Sequence, residues 1–156
     1  RIHNQNYLLK PFLDVCEKTK FDVILSENIT LDLWKKWIFI STVAGATTLF
    51  SSTLGEISNH EVGKKTLTDL YMECKSIAKL NGFTIDDNEA NSVLNNITAE
   101  GSPIKASMQR DVEKNAFTEH EEIFGDLISK AQNYNFDSHI LTSCYLKMKL
   151  YNEKLI

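Results

Sequence analysis

An uncharged stretch that begins directly after two adjacent lysines, Lys35 and Lys36, constrains this chain more than any other feature. No charged residue occurs between Lys36 and Glu56, and the residues between them are apolar or small and weakly polar. A helix of this composition has no face suited to water, so it must be buried on all sides. We therefore predict a central buried helix, with the lysine pair where it meets the outside. One ammonium is expected at the edge of a dry cavity, while Lys35 is expected to face solvent.

A membrane span is the alternative for such a stretch. A bilayer needs about 20 predominantly apolar residues, and this stretch is shorter and contains Ser, Thr and Gly. A chain of 156 residues, 42% hydrophobic and 24% charged, suits one globular domain with a sizeable core. We therefore predict a single domain over residues 1–156 that does not enter a membrane.

The charge and the cysteine pattern exclude several classes of protein. A net charge of −4 disfavours binding to nucleic acid or to an anionic membrane. Three cysteines, Cys16, Cys74 and Cys144, are far apart and form no CxxC pair, which disfavours a disulfide framework or a zinc site. They indicate reduced thiols and a cytoplasmic location. The histidines show no metal-ligand spacing, so we predict no metal site and interpret them as surface residues: His3, His60, His120 and His139.

The pattern along the chain is helical. Only six glycines and two prolines interrupt it, and long amphipathic segments dominate. The fold class is therefore predicted as all-α, with a connector rather than a strand at residues 21–25. Capping boxes are predicted at Asp86 with Glu89 and at Thr118 with Glu121. The predicted helices are Asn6 to Lys18, Ile29 to about Gly45 with a candidate break there, Asn59 to Leu80, one after Asp86, Lys105 to Glu113, one after Thr118, and Ser138 to Glu153.

No single motif in the sequence identifies a reaction. The sequence contains no GxGxxG, no GxxxxGK[ST], no GxSxG and no HExxH. Three blocks in order are more informative: Leu33–Lys36 followed by Leu54–Ile57, then Ser107–Asp111, then Thr118–Gly125. They are similar to the LWxK…GE, SMxxD and TEIDxxNG blocks of the ketopantoate reductase (2-dehydropantoate 2-reductase) family. The chain resembles the C-terminal domain of that family from about Ile24 to its end.

The resemblance implies a multi-helix fold similar to the C-terminal domain of 6-phosphogluconate dehydrogenases. It also implies an N-terminal Rossmann domain that binds NADPH, with the active site in the cleft between the two domains. Since the chain starts at Arg1, we expect it to be part of a longer protein and to be inactive alone. The implied reaction is reduction of ketopantoate to pantoate, which leads to pantothenate and coenzyme A. A homodimer is a further implication.

Three site residues follow from the resemblance. Lys36 is implied as the general acid, and Ser107 and Glu119 as substrate-binding residues. The chemistry suits these types, because a ketone that accepts hydride becomes an alkoxide, which an ammonium can stabilise and protonate. Each residue also has a purely structural interpretation. Lys36 could be a solvated residue at the helix end, Ser107 could cap a short helix, and Glu119 could favour the positive end of a helix dipole.

The chain departs from the family at three positions. Ile40 and Ala44 replace asparagines that follow the catalytic lysine by four and eight residues, and Phe124 replaces the asparagine of the third block. These departures favour reduction of a 2-oxo acid in general over ketopantoate in particular. The alternative function is a non-catalytic dimerisation module, in which the apolar stretch is an interface rather than a cleft.

Overall fold

The computed structural model of the chain describes residues 6–19 and 23–156, and within these residues it contains helices and no strand. This confirms the all-α prediction. In chain order the elements are α1 (Asn6–Cys16), α2 (Ile29–Phe50), α3 (Leu54–Ser58), α4 (Glu61–Leu80), α5 (Asp87–Ile97), α6 (Ser107–Glu113), a π-helical segment (Glu121–Gly125), α7 (Asp126–Gln132) and α8 (His139–Glu153).

Helix α2 is the centre of the structure, and α3, α4, α6, α8 and the π-helical segment all contact it. Every residue from Ser41 to Thr48 is buried, which confirms the prediction of a helix buried on all sides. The side chain of Asn28 caps its first turn by accepting a hydrogen bond from Leu31 N–H at 3.1 Å. The helix ends at Phe50, where Ser51 adopts a left-handed conformation with φ 53°.

The predicted break at Gly45 is wrong, because α2 continues through it. A Cβ atom at this position would lie 3.1 Å from both Cys144 Sγ and Leu70 Cδ2. The glycine therefore lies where α4 and α8 come closest to α2, and packing on both sides holds it in the helix. The three cysteines are free and buried, and burial raises the pKa of the Cys144 thiol to about 12.

Three buried threonine hydroxyls of α2 are hydrogen-bonded within the helix itself. Each donates a hydrogen bond of 2.7 to 2.8 Å to the carbonyl oxygen four residues earlier, so none is left unpaired by its burial: Thr42 to Ile38, Thr47 to Val43 and Thr48 to Ala44. In the described part of the chain no helix combines the length and apolar character needed to cross a membrane.

Two charged side chains cap helices that are distant in sequence. The Glu73 carboxylate, on α4, accepts hydrogen bonds from the backbone N–H groups of Ile140 and Leu141 at 3.0 to 3.2 Å, and so caps α8. The Lys147 ammonium, on α8, donates to the carbonyl oxygens of Thr48 and Leu49 at the end of α2. These contacts link α4, α8 and α2 at the ends where backbone groups lack helical partners.

The short helix α3 was not predicted from the sequence. Thr53 and Glu56 form its capping box, with each side chain bonded to the backbone N–H of the other residue. The next free N–H groups, of Leu54 and Gly55, donate to the carbonyl oxygens of residues 104 and 102, each at 2.9 Å. The first turn of α3 therefore lies directly on the backbone that precedes α6.

Both predicted capping boxes need correction. Asp86 does accept bonds from the N–H groups of residues 88 and 89, but the Glu89 carboxylate pairs with Lys35 instead of closing the box. The Thr118 hydroxyl does not cap a helix, because it is bonded to Asn152. The helix after it begins with a π-helical turn, in which Asp126 N–H donates to Glu121 O.

Smaller boundaries also differ. Helix α1 ends at Cys16 rather than Lys18, and the helix predicted from Asn59 begins at Glu61. Of the predicted connector, residues 23–25 are neither helix nor strand, and residues 21 and 22 lie outside the described residues.

We expect Gly55→Ala to destabilise the protein by about 3 kcal/mol, because overpacking against a fixed backbone forces the chain to shift. The new Cβ would lie 2.3 Å from Ser102 N and 2.6 Å from the Gly101 carbonyl carbon. The matched control is Gly82→Ala, which has φ +90° but no atom within 4 Å, and should cost only about 1 kcal/mol. Urea denaturation measures both, and equal losses would contradict the packing described for α3.

We expect Glu73→Ala to lower the free energy of unfolding by about 1 to 2 kcal/mol, the usual cost of a lost N-cap. Ser138 occupies the N-cap position of α8, but its side chain makes no capping bond. Ser138→Ala is therefore the control and should cost less than Glu73→Ala in thermal or urea unfolding. A larger loss for Ser138→Ala would mean that the cap is assigned to the wrong residue.

Candidate functional site

The face of α2 that carries Lys36 also carries Ile40 and Thr47. At 100° per residue, Lys36 and Thr47 differ in direction by only about 20°, and they are about 16 Å apart along the axis. The backbone N–H of Ala106 contacts Thr47 Oγ1 at 3.4 Å. Ser107, the first residue of α6, therefore lies at the same face of α2 as Lys36, about three turns along it.

A second element joins α2 beside Lys36. The indole N–H of Trp37 and the hydroxyl of Ser41 both donate to the Ile123 carbonyl oxygen, at 3.0 and 3.1 Å. The Ile123 N–H in turn donates to the Glu119 carbonyl oxygen at 3.2 Å. Glu119 thus lies one turn before the point of attachment, immediately ahead of the π-helical segment. The π-helical turn is itself a feature that occurs frequently at functional sites.

The three predicted site residues share one property. Lys36, Ser107 and Glu119 are all exposed, and among the described residues none of their side chains has a hydrogen-bond or ion-pair partner. Charged residues close to them in the sequence, by contrast, have side-chain partners. Lys35 pairs with Glu89 at 2.7 Å, and the Tyr145 hydroxyl donates to the Glu121 carboxylate at 2.9 Å.

The two lysines of the pair differ in their surroundings. Lys35 was expected to face solvent, but it is half-buried and lies 2.7 Å from Glu89 and 3.7 Å from Asp32. The hydrogen bond to Glu89 raises the pKa of Lys35. Lys36 was expected at the edge of a dry cavity, but it is exposed. A pocket of about 510 Å³ lies instead beside Phe50, about 21 Å further along α2.

Ser107 and Glu119 each stand at the start of a helical segment, where a purely structural role was considered for them. Ser107 does not cap α6, because Ala106 occupies the cap position and no side chain bonds to the first turn. Glu119 precedes the helical turn and its backbone carbonyl accepts the bond from Ile123. Ser107 is therefore not a cap, whereas Glu119 stays at the amino-terminal end of a helical segment, where its carboxylate favours the positive end of the dipole.

The positions at which the chain departs from the family blocks lie largely in the interior. Ala44 is 1% exposed and Phe124 is completely buried, while Ile40 is half-buried. Apolar side chains at positions 44 and 124 are satisfied by packing alone, whereas an amide at either position would need hydrogen-bond partners there.

His120 is a neighbour of the candidate site that the sequence did not indicate. It was interpreted as a surface residue but is only 6% exposed, whereas His60 and His139 are exposed as predicted; His3 lies outside the described residues. The His120 ring contacts Thr118 and Asn152. The burial of His120 could not be predicted from the sequence. The residue stands between two charged residues, and its partner, Asn152, is on another helix.

The described residues form no group of three potential metal ligands. Nor do they include a strand followed by a glycine-rich turn, which is the arrangement that binds a dinucleotide pyrophosphate. Lys36, Ser107 and Glu119 supply an ammonium, a hydroxyl and a carboxylate on three elements around α2, all exposed and unpaired among the described residues. Such groups can bind a small polar molecule and transfer a proton to it.

Comparison with known proteins identifies the chain's family and fold. The family model described as ketopantoate reductase PanE/ApbA C terminal matches residues 28–152. The "uncharacterized oxidoreductase YkpB" of Bacillus subtilis (strain 168) is 33% identical over 132 residues, which are 85% of this chain and 44% of that protein.

Solved structures share the fold at lower identity. A dimeric ketopantoate reductase from Staphylococcus aureus matches with a TM-score of 0.82 and 20% identity, over 98% of this chain and 54% of its own. D-mandelate dehydrogenase, in a ternary structure with NADH and anilino(oxo)acetate, matches with a TM-score of 0.83 and 16% identity, over 98% of this chain and 64% of its own. The chain spans about half the length of these relatives. It belongs to the family of ketopantoate reductase C-terminal domains.

Proposed function

We propose that this chain is the substrate-binding and catalytic C-terminal domain of an NADPH-dependent 2-dehydropantoate 2-reductase-like enzyme. In this proposal the enzyme reduces ketopantoate, or a related 2-oxo acid, to the corresponding 2-hydroxy acid. The observation that carries it is the contrast between neighbours: Lys36 and Glu119 are unpaired among the described residues, while Lys35 and Glu121 are held by other side chains.

Lys36 acts as the general acid in this mechanism. Its ammonium donates a hydrogen bond to the ketone oxygen and stabilises the negative charge that develops there as hydride adds to the carbonyl carbon. The same nitrogen then gives its proton to the alkoxide, which completes the alcohol. Because Lys36 is exposed, it can recover a proton from water before the next turnover.

Ser107 and Glu119 bind and orient the oxo acid. The Ser107 hydroxyl can donate to a substrate oxygen, and the Glu119 carboxylate can accept from a substrate hydroxyl or from the Lys36 ammonium. Contacts made by several elements at once hold a substrate in a reactive orientation, which accounts for a large share of enzymatic rate acceleration.

The hydride would come from NADPH. The described residues do not fit the pyrophosphate of a dinucleotide, so the proposal assigns its binding to an N-terminal Rossmann domain of the full-length protein. That assignment rests on the family resemblance and on the half-length coverage of the relatives. The C-terminal domain should then be inactive by itself.

The proposed substrates include other 2-oxo acids besides ketopantoate, because Ile40, Ala44 and Phe124 replace the asparagines of the family blocks. The D-mandelate dehydrogenase neighbour, whose structure holds anilino(oxo)acetate, has the same fold, which supports a range of oxo acids. The roles in pantothenate and coenzyme A biosynthesis, the homodimer and the cytoplasmic location belong to the proposal as well. The alternative is a non-catalytic dimerisation module, and since residues 41–48 are buried within the chain, its interface would have to use another surface than this part of the apolar stretch.

The full-length protein should oxidise NADPH in the presence of a 2-oxo acid. We would measure the loss of NADPH absorbance with ketopantoate and with a panel of other 2-oxo acids, using NADH as the cofactor control. Strongest turnover on ketopantoate would assign the pantothenate step, and strongest turnover on another acid would keep the mechanism and change the substrate. No turnover with any acid and either cofactor would contradict the proposed function.

Lys36→Ala in the full-length protein should lower kcat by about a hundredfold or more, the usual effect of losing a general acid. NADPH affinity, measured by fluorescence titration, should change less than twofold. Lys35→Ala is the matched control because Lys35 is adjacent but paired with Glu89, and it should keep kcat within about threefold. Comparable losses in the two variants would mean that Lys36 has no special role.

A further inference from the structure

One amide on the last helix holds the chain on both sides of Glu119. Asn152 Oδ1 accepts hydrogen bonds from the Thr118 backbone N–H and from the Thr118 hydroxyl, each at 3.1 Å. Asn152 Nδ2 donates to the Thr118 carbonyl oxygen at 3.1 Å and lies 3.0 Å from His120 Nδ1. We call Asn152, Thr118 and His120 the Asn152 cluster.

Two members of the Asn152 cluster are buried, so water cannot readily take over their hydrogen bonds. Thr118 is 8% exposed and His120 is 6% exposed, although Glu119 between them is exposed. Removing the amide would leave the buried backbone N–H of Thr118 without its partner and take one of the contacts of His120 away, and an unpaired buried donor costs more than a surface bond is worth. The backbone at Glu119 is therefore fixed from both sides while its carboxylate stays accessible.

A second set of contacts supports the His120 ring from the same helix. The Tyr145 ring lies with its centroid 5.6 Å from that of His120. The Tyr145 hydroxyl donates to the Glu121 carboxylate, which lies 3.5 Å from His120 Nε2. Helix α8 thus contacts the segment at residues 118, 120 and 121, whereas the Glu119 side chain has no hydrogen-bond or ion-pair partner among the described residues.

The cluster contains a residue that differs from the family block. The block that resembles TEIDxxNG has His120 where the family pattern has isoleucine. A buried histidine needs polar partners where an isoleucine needs none, and Asn152 supplies one from 32 residues further along the chain.

We propose that Asn152 is a positioning residue for oxo-acid binding, acting through Glu119. The inference rests on the proposed function, in which the Glu119 carboxylate contacts the substrate. Lys36 is carried by α2, which packs against α3, α4, α6 and α8 as well as against the π-helical segment. Loss of the Asn152 cluster should therefore weaken substrate binding more than the proton transfer.

The first test compares Asn152→Ala with Glu153→Ala in the full-length protein, using the oxo acid that gives the highest turnover. Glu153 is the next residue on α8 and is exposed, so it is the matched control. Asn152→Ala should raise KM for the oxo acid at least fivefold, with kcat and KM for NADPH within twofold. Asn152→Asp keeps the acceptor for Thr118 and loses the donor, so it should change KM less in the same direction.

A double-mutant cycle separates positioning from general destabilisation. Glu119→Gln alone should raise KM for the oxo acid, and adding Asn152→Ala to it should raise KM by less than a further twofold, because the two changes act on one contact. Independent, multiplying effects would overturn the proposal, since Asn152 would then act by another route.

Hydrogen exchange tests the structural step without activity. Amide exchange of residues 118–123 should be faster in Asn152→Ala than in the parent protein, and unchanged in Glu153→Ala. Unchanged exchange in Asn152→Ala would overturn the proposal whatever the kinetics. Faster exchange, with no effect of Glu119→Gln on KM, would instead remove Glu119 from the proposed site and with it the positioning role.

Discussion

The structure depends on burying α2 on every side. Eight consecutive residues, Ser41 to Thr48, are inaccessible, and threonines among them satisfy their hydroxyls on carbonyl oxygens of the same helix. Because these threonine hydroxyls are bonded within α2, α4 and α8 can pack closely against it. Gly45 marks the closest approach, and Glu73 and Lys147 connect the ends of these helices.

The candidate residues lie along α2, with Lys36 and the segment that carries Glu119 beside its middle and Ser107 near its carboxy-terminal end. The parts of the site are attached to α2 by few but specific hydrogen bonds: Thr47 meets α6, and Trp37 and Ser41 meet the π-helical segment. Ser107 and Glu119 are therefore carried on two elements that share one rigid support with Lys36. Rigid support of this kind is what a site needs to hold a small substrate in one orientation.

The sequence predicted the features that depend on composition and local pattern. The uncharged stretch predicted the buried central helix, and the helical periodicity predicted most elements to within a few residues. Features that depend on distant partners were missed. Glu73, on α4, caps α8, although Ser138 occupies the N-cap position. His120 is buried and contacts Asn152 instead of solvent. Gly45 is a packing contact rather than a helix break. The choice of Lys36, Ser107 and Glu119 came from the family resemblance, and their catalytic roles stay predictions.

Chemical modification of the full-length protein tests the central claim most directly. Limited acylation with an N-hydroxysuccinimide ester, read by peptide mass spectrometry, reports how accessible Lys35 and Lys36 are in the same sample. If Lys36 binds the oxo acid, saturating substrate should slow its acylation severalfold and leave that of Lys35 unchanged. If substrate protects both lysines equally, or neither, the claim that Lys36 is the ammonium of the active site is contradicted.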